Sequence, residues 1–489
     1  MSARPNILFV QSDQQRPDWV EMNAEIPVRT PHLRDLAERG RWFSHAVCPS
    51  PLSAPSRACL AAGLEYDQCR VWGNETYFPE GIPTYHQRLR LEAGYHVMAA
   101  GKHHVGNNQS GNPPQLHRGL DGRQGIEAWG FDDAIFNAGL NQATILMRRN
   151  DCVPQDTYMT YLQQIGWAQA HLDDYARRNA EDVWTATFPS PLPDEAYFDT
   201  WITGNALTLI DRSPTDKPWY LEVNLQNPHH PWDVTESMHA AYRDPPVDFP
   251  PPEHCTLDIS DEVHQEVRRN WASTVEHLDG CLGRILDHLK QRGELDNTIV
   301  VYASDHGEML GDYNQWQKVS PLQASAGVPL MIAGPWIATH GEDATPATTL
   351  DLAATFLDWA GLTPSAQIDS RSMASYLSGS SDTHREAAFS GLSAWRLVTD
   401  GRFKLVRGYD PAVRFGGDQF DPTTMTTAEV SRLQTERPEL LFDLLVNEKD
   451  DVSADHPDVL KRLRAALDEH LTNRSRLIDD YRKTHVRSS

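Results

Sequence analysis

Short apolar runs bounded by Pro, Gly, Asn or Asp recur along the chain, and they predict strands of a parallel sheet covered on both faces. Helical patterns lie between these runs. The clearest extends from Val267 to Leu289 with apolar residues at steps of three and four, and Gly293 ends it just before the next strand. A helix that leads into a strand is the repeating unit of an α/β fold. Four segments are the predicted strands: Asn6 to Val10, Trp219 to Leu225, Thr298 to Ala303 and Val328 to Ala333.

Polar residues follow three of these strands directly. The first strand leads into Gln11-Ser12-Asp13-Gln14, the second into Asn227-Pro228-His229-His230-Pro231, and the third into Ser304-Asp305-His306-Gly307-Glu308. In open α/β sheets, ligands bind at the carboxyl ends of the strands. The sequence therefore predicts that three separate segments deliver Asp and His side chains to one shared site.

The C-terminal part of the chain predicts a small α+β subdomain. Two strand-like pieces, Trp395 to Thr399 and Phe403 to Val406, precede a terminal helix around Val459 to Leu471. The polar run Ser378 to Asp382 before them is typical of a linker. We therefore predict two parts, an α/β domain over residues 1–382 and an α+β subdomain over residues 383–489.

Composition narrows the classes of partner. The formal net charge of −24 at pH 7 argues against nucleic acid or an anionic membrane, because both require extended basic surfaces. The six cysteines are scattered without a CxxC pair, which indicates reduced thiols and neither a zinc ribbon nor a disulfide framework. No apolar window reaches about 18 residues and the N-terminus has no signal-peptide pattern, so we expect a cytoplasmic protein with no membrane partner.

The segment from Cys48 to Gly63 is a Pro- and Ser-rich turn that opens into a short predicted helix. Pro55 suits the first helical turn, and Gly63 ends the helix. A helix N-terminus with Arg57 nearby is suited to binding an anion. On local chemistry alone, an ordinary capped helix is the better explanation of the segment.

The wider pattern favours the anion site. Ser53-x-Pro55-x-Arg57, followed six residues later by Gly63, resembles the C/S-x-P-S-R motif of the sulfatase family. The similarity spans essentially the whole chain and is nearest to the choline-sulfatase and iduronate-sulfatase branches. Further family-like motifs occur in order: Pro5-Asn6-Ile7-Leu8 before Asp13-Gln14, Gly73-Asn74, Gly101-Lys102-His103-His104, Pro228-His229-x-Pro231, Ser304 to Glu308 with Lys318 beyond, and Glu439 to Leu444.

This resemblance implies a fold and a metal site. The expected fold is a mixed, mostly parallel sheet sandwiched by helices, similar to alkaline phosphatase. Residues 1–382 would be the sulfatase catalytic domain. Carboxylate and amide oxygens are hard ligands for Ca²⁺ or Mg²⁺, and an imidazole nitrogen also suits Mn²⁺. By resemblance we expect Ca²⁺ first, with Mn²⁺ or Mg²⁺ as alternatives, bound by Asp13, Gln14, Ser53, Asp305 and His306.

The resemblance also assigns catalytic residues. A sulfate ester repels nucleophiles, so its hydrolysis requires neutralised charge and a protonated leaving oxygen. His229 is the expected acid toward that oxygen, with Lys318 nearby, whereas Lys102 and His104 would contact the nucleophile and the sulfate. Arg57 would neutralise charge. The expected substrate-binding residues are Asn74, Lys102, His229 and Lys318.

Ser53 departs from the simplest family pattern. Relatives convert this position to formylglycine, whose hydrate offers one hydroxyl to attack sulfur and a second to expel sulfate. A plain serine lacks that second step. Three explanations stay open: a serine matured by a formylglycine-generating or radical maturase, a cysteine replaced by design, and a serine that acts directly, as in alkaline-phosphatase-like phosphoryl transfer.

The substrate is predicted only by class. A carbohydrate sulfate is the first choice, and an alkyl or choline sulfate the second. Trp72 and Trp316 are candidates for the wall of a substrate pocket, although packing is the commoner role of tryptophan. The rival functions are hydrolysis of phosphonate monoesters or phosphodiesters, and binding of sulfated glycans without turnover.

Overall fold

An eight-stranded sheet dominates the computed structural model, which describes residues 4–79, 81–105, 123–365, 367–410 and 427–472. The order of its strands is β4-β3-β5-β1-β6-β7-β2-β8. Their bounds are β1 Asn6–Asp13, β2 Gly40–Phe43, β3 His96–Lys102, β4 Asp133–Asn137, β5 Trp219–Pro228, β6 Thr298–Ser304, β7 Leu330–Ala333 and β8 Gly341–Asp343.

Five adjacent strands, β4, β3, β5, β1 and β6, run parallel, and both faces of this sheet are covered. Alternate residues of β1 show this directly, because Leu8 and Val10 join one apolar cluster while Ile7 and Phe9 join another on the opposite face. The predicted mixed, mostly parallel sheet between helices is therefore confirmed.

Strand β7 corrects one detail of the prediction. It begins at Leu330 and runs antiparallel to both β6 and β2. The chain leaves β6 at the carboxyl edge of the sheet, forms the loop that carries Lys318, and re-enters the sheet from that same edge. The prediction of a parallel strand over Val328 to Ala333 was therefore wrong in direction.

Helices cover the sheet, and the longest follows the predicted stripe, from Asp261 to Gln291. Among the described residues, none of the helices combines the length and the apolarity needed to cross a membrane. The other α-helices are Pro31–Arg39, Ser53–Ala62, Tyr66–Cys69, Tyr85–Leu91, Arg123–Trp129, Leu140–Arg149, Thr157–Gln164, Ala168–Glu181, Phe198–Arg212, Glu236–Ala240, Gln323–Ala326, Leu352–Trp359, Ala374–Leu377, Thr427–Glu436 and Pro457–Thr472.

A second, antiparallel sheet of four strands lies in the C-terminal part, in the order β12-β11-β10-β9. One face packs on the helix Ser53–Ala62 through a shared apolar cluster, and the other face packs on the helix Pro457–Thr472. The helix that begins at Ser53 thus lies against the smaller sheet. The strand bounds are β9 Ala388–Leu392, β10 Trp395–Thr399, β11 Phe403–Arg407 and β12 Glu439–Asp443.

Candidate active site

The carboxyl ends of four neighbouring parallel strands, β3, β5, β1 and β6, define the candidate site. They end at or just before Lys102, His229, Asp13 and Asp305, respectively. Because these strands are adjacent in the sheet, residues far apart in sequence meet at one edge. The structure therefore brings together the three segments that the sequence analysis assigned to one site, and β3 adds a fourth.

Ser53 is the first residue of the helix Ser53–Ala62 and is almost fully buried. Its Oγ lies 3.0 Å from Nε2 of His306. Gly63 ends the helix with a φ of 68°, a left-handed conformation in which a glycine avoids steric strain.

Arg57, on the same helix, is bound on all sides by acceptors. Its Nε donates to Oδ2 of Asp305 at 2.9 Å. One terminal nitrogen donates to the side-chain oxygens of Gln11 and Asn224, both at 2.8 Å, and to the backbone oxygen of Lys102 at 3.0 Å. Arg57 is therefore a fixed cation that holds a candidate metal ligand, and it is not free to follow a substrate.

Asp13, Asp305 and His306 form a buried cluster whose ligand atoms lie within 4.8 Å of one another. Burial would raise the pKa of Asp13, but the cations Lys102, Arg57 and Lys318 hold it well below its usual range. Its Oδ1 is buried and has no hydrogen-bond partner among the described residues. An ionised, buried oxygen without a partner is the mark of a site that fits a cation.

His306 also fits a metal. Its Nδ1 donates to the backbone oxygen of Gly307 at 3.0 Å, which leaves the Nε2 lone pair directed at Ser53 and the carboxylates. Burial lowers the pKa of His306 to about 4, so the ring is neutral at pH 7. The donor set of two carboxylates and one neutral imidazole suits a divalent metal.

Gln14 has partners that the sequence did not indicate. Its Oε1 accepts a hydrogen bond from Nζ of Lys318 at 2.7 Å, and its Nε2 donates to Glu308. Burial and the ammonium of Lys102 lower the pKa of Lys318 to about 8, although Asp13 opposes this. The side-chain oxygen that we predicted as a metal ligand is thus shared with Lys318.

His229 and His104 lie on the half-buried side of the site. Nδ1 of His229 donates to the backbone oxygen of His230 at 2.7 Å, so its basic nitrogen is Nε2. Burial and neighbouring cations lower the pKa of both histidines well below the ordinary value. Both rings are neutral in the free protein. A bound anionic ester would raise the pKa of His229 again, as an acid role requires.

Three further predicted residues, Asn74, Trp72 and Trp316, differ in their relation to this site. Asn74 is close, since its Oδ1 accepts from the backbone amide of Ala54 at 3.1 Å, at the start of the helix of Ser53. Trp72 is fully buried and packs edge-on against Tyr66, so it belongs to the core and not to a pocket wall. Trp316 is half-buried, as a wall residue should be.

Sequence analysis missed several buried polar residues around the site. Glu308 was only the last letter of a motif, and Glu222 and Asn224 were hidden in an apolar strand. The sequence does contain a signal for Glu222 and Asn224. They are two positions apart and therefore on the same face of a buried strand, where polar side chains require hydrogen-bond partners.

Fold and site together define a class of protein, a hydrolase of anionic esters that places a buried serine position beside a candidate metal cluster and several fixed cations. The sulfatase family profile matches residues 5–362. The chain therefore belongs to the sulfatase family, and it is accordingly a sulfuric ester hydrolase.

Individual relatives share a modest part of their sequence with this chain, and the three described here are each less than 30% identical to it. The chain is 29% identical over 389 residues to a choline-sulfatase of Rhizobium meliloti (strain 1021), covering 74% of this chain and 68% of that protein. It superposes on the phosphonate monoester hydrolase SpPMH from Silicibacter pomeroyi with a TM-score of 0.72, 22% identity and coverage of 96% of each chain. A protein solved with its substrate D-glucosamine-2-N,6-O-disulfate superposes with a TM-score of 0.69 and 18% identity, covering 99% of this chain and 100% of that one. These two likenesses support the fold.

Proposed function

We propose that this enzyme hydrolyses the sulfate monoester of a carbohydrate to an alcohol and inorganic sulfate, with the nucleophile at position 53. The observation that carries the proposal is the placement of Ser53 Oγ, 3.0 Å from His306 Nε2 and beside the Asp13 and Asp305 carboxylates. A nucleophile at a buried helix N-terminus, next to a metal cluster, is suited to attack an anionic ester whose charge is neutralised.

Each residue then has a task that its contacts support. Arg57 and Lys102 hold the Asp305 and Asp13 side chains and supply positive charge. Lys318 adds a third cation next to the cluster. His229, with its Nε2 unprotonated in the free protein, takes up a proton when the anion binds and gives it to the leaving oxygen as the sulfur–oxygen bond breaks. A divalent metal at this cluster would neutralise charge on the nucleophile and the sulfate oxygens.

We propose Ca²⁺ as that metal and formylglycine as the mature form of Ser53. A hard ion fits the two carboxylates and the amide oxygen of Gln14, whereas His306 leaves Mn²⁺ as the alternative. A formylglycine-generating or radical maturase would act transiently on the Ser53 segment, and we propose that the enzyme works in the cytoplasm. Formylglycine supplies a hydrated aldehyde, which can attack sulfur and later release sulfate.

A row of aromatic rings beyond His229 supports a ring-shaped leaving group. The rings of His229 and His230 stack at 4.3 Å, His230 meets Trp184 at 4.4 Å, and Trp184 stacks on Trp316 at 6.4 Å between centroids. The four rings are partly exposed and follow one another in a row, so together they form an apolar wall that is suited to the apolar parts of a pyranose. Carbohydrate sulfates are therefore preferred to short alkyl sulfates.

Mass spectrometry of the Ser53 peptide from the native host tests the chemistry. Loss of two hydrogens and an aldehyde that reacts with hydrazides would support formylglycine. Sulfatase turnover by a protein with an intact serine would reject the maturation proposal. Turnover of phosphonate monoesters without any turnover of sulfate esters would reject the substrate class, and Ser53→Ala is the control for contaminating activity.

A matched substrate pair tests the aromatic wall. Trp184→Ala should raise KM for a monosaccharide sulfate about tenfold, since one stacked aromatic contact is lost, and should leave KM for ethyl sulfate unchanged. An equal change for both substrates would show that Trp184 supports the fold and does not contact the leaving group.

A further inference from the structure

A chain of buried hydrogen bonds runs from Arg57 into the centre of the large sheet. Arg57 donates to Oδ1 of Asn224 at 2.8 Å, and Nδ2 of Asn224 donates to Oε1 of Glu222 at 2.6 Å. The other carboxylate oxygen of Glu222 lies 2.7 Å from Nε2 of His86 and accepts from the hydroxyl of Tyr85 at 3.1 Å. Beyond Arg57, the members of this chain, Asn224, Glu222, His86 and Tyr85, have no role in the sulfate chemistry proposed above.

Glu222 decides which way the Asn224 amide faces. An ionised carboxylate can only accept hydrogen bonds, so the amide NH₂ must face Glu222 and the amide oxygen must face Arg57. A flipped amide would place NH₂ against the guanidinium and oxygen against the carboxylate, and both contacts would repel. Burial would raise the pKa of Glu222, but His86 and the bond from Asn224 lower it, so the carboxylate is charged.

The backbone around Asn224 leaves this arrangement little freedom. Strand β3 lies so close to β5 that a Cβ on Gly101 would come within 2.0 Å of the backbone oxygen of Asn224. The next residue, Lys102, presents its backbone oxygen to the same nitrogen of Arg57. The residues Asn224 and Glu222 are 0% and 5% exposed, so water cannot replace a lost partner without repacking.

We propose that Glu222 and Asn224 are positioning residues that fix the guanidinium of Arg57, and through it the carboxylate of Asp305, in the geometry that metal binding and turnover need. The alternative is that Glu222 and His86 form an ordinary buried ion pair of the core with no influence on the site. The two hypotheses make different demands on Asn224. If Glu222 positions Arg57 through Asn224, then activity requires an amide that donates to a carboxylate at this contact, whereas a core contact between Glu222 and His86 places no such requirement on Asn224.

Exchanging the two groups separates these possibilities. Asn224→Asp alone sets two carboxylates against each other at the 2.6 Å contact, which would displace the side chain from Arg57. Adding Glu222→Gln restores a donor facing an acceptor, because the new amide can donate to the new carboxylate while that carboxylate still accepts from Arg57. The total charge of the pair is the same as in the native protein.

The measurements are kcat and KM on a sulfate ester, the Kd for Ca²⁺, and thermal unfolding, all on the full chain. We expect Asn224→Asp to lower kcat about 100-fold with a small change in KM and to weaken Ca²⁺ about tenfold, the size of a lost hydrogen bond to a charged group. In the double variant, both kcat and the Kd for Ca²⁺ should return to within about fivefold of the native values. Tyr85→Phe, which removes one donor from the far oxygen of Glu222, is the control and should change kcat less than about threefold.

The inference fails if the folded double variant is as impaired as Asn224→Asp, or if Asn224→Asp binds Ca²⁺ and turns over like the native enzyme. If Asn224→Asp does not fold, a folded double variant still decides the question. The kinetic part rests on the proposed sulfate ester hydrolysis, whereas the Ca²⁺ affinities do not. A native protein without any turnover would therefore count against the proposed function, while the affinity series would still test the positioning role.

Discussion

Buried charged side chains are paired differently at the two sheets of this protein. At the carboxyl edge of the larger sheet, Arg57 and Lys102 share the carboxylate of Asp13, and burial together with the charge of Lys102 lowers the pKa of the neighbouring Lys318. His104 and His229 at this edge are neutral. At the smaller sheet, each of two buried cations has a carboxylate of its own. Arg396 pairs with Asp67, and Lys404 with Glu448 at 2.6 Å.

This difference indicates that the edge of the larger sheet is a functional site, whereas the charged pairs of the smaller sheet stabilise the fold. Like charges gathered at one buried edge oppose folding, and groups with shifted pKa values are typical of places where chemistry occurs. Paired charges satisfy each other and fix how the smaller sheet packs on the segment after the Ser53 helix. The comparison therefore predicts that substitutions at the edge remove activity and leave the fold intact, whereas substitutions at the smaller sheet do the reverse.

The largest expected effect is at Asp305. Asp305→Ala removes one ligand of the candidate metal cluster and the partner of Arg57, so bound metal and turnover should both fall, turnover by roughly 10³-fold or more. Metal content by mass spectrometry and an aryl sulfate assay measure this. Asp18→Asn, which removes a carboxylate paired with Arg16 outside the cluster, is the control. Retained activity on the aryl sulfate would mean that the metal site is misplaced.

His229→Ala should have a smaller, substrate-dependent effect. Without an acid, the alkoxide of a poor leaving group departs unprotonated, and its kcat should fall about 10² to 10⁴-fold. A 4-nitrophenolate leaving group needs no proton and should lose far less. His288→Ala, a histidine paired with Asp211 near the surface, is the matched control. Equal losses on good and poor leaving groups would remove the acid role from His229.

Part of the candidate site could be predicted from the sequence alone. Asp13, Asp305 and His229 could be placed because each directly follows an apolar run, and strand ends meet at one edge of a parallel sheet. Strand β3, which ends at Lys102, was missed, since its Ala-Ala-Gly run has little strand preference. The roles of Glu222 and Asn224 depend on which strands are neighbours, and local pattern does not encode that order.

The smallest expected effect on kcat is at the smaller sheet, where a substitution should lower stability and leave the chemistry almost unchanged. Arg396→Met leaves Asp67 buried without its cation, which should cost about 3 to 5 kcal/mol of the free energy of unfolding, while kcat of the remaining folded enzyme stays within about twofold. Arg396→Met with Asp67→Leu should regain most of that stability, since a buried pair can be replaced by apolar side chains of similar size. Urea unfolding and kcat, measured on the same samples, test both parts. A large fall in kcat for the stable double variant would mean that this ion pair positions the Ser53 helix, and the separation of site from scaffold would then be wrong at this contact.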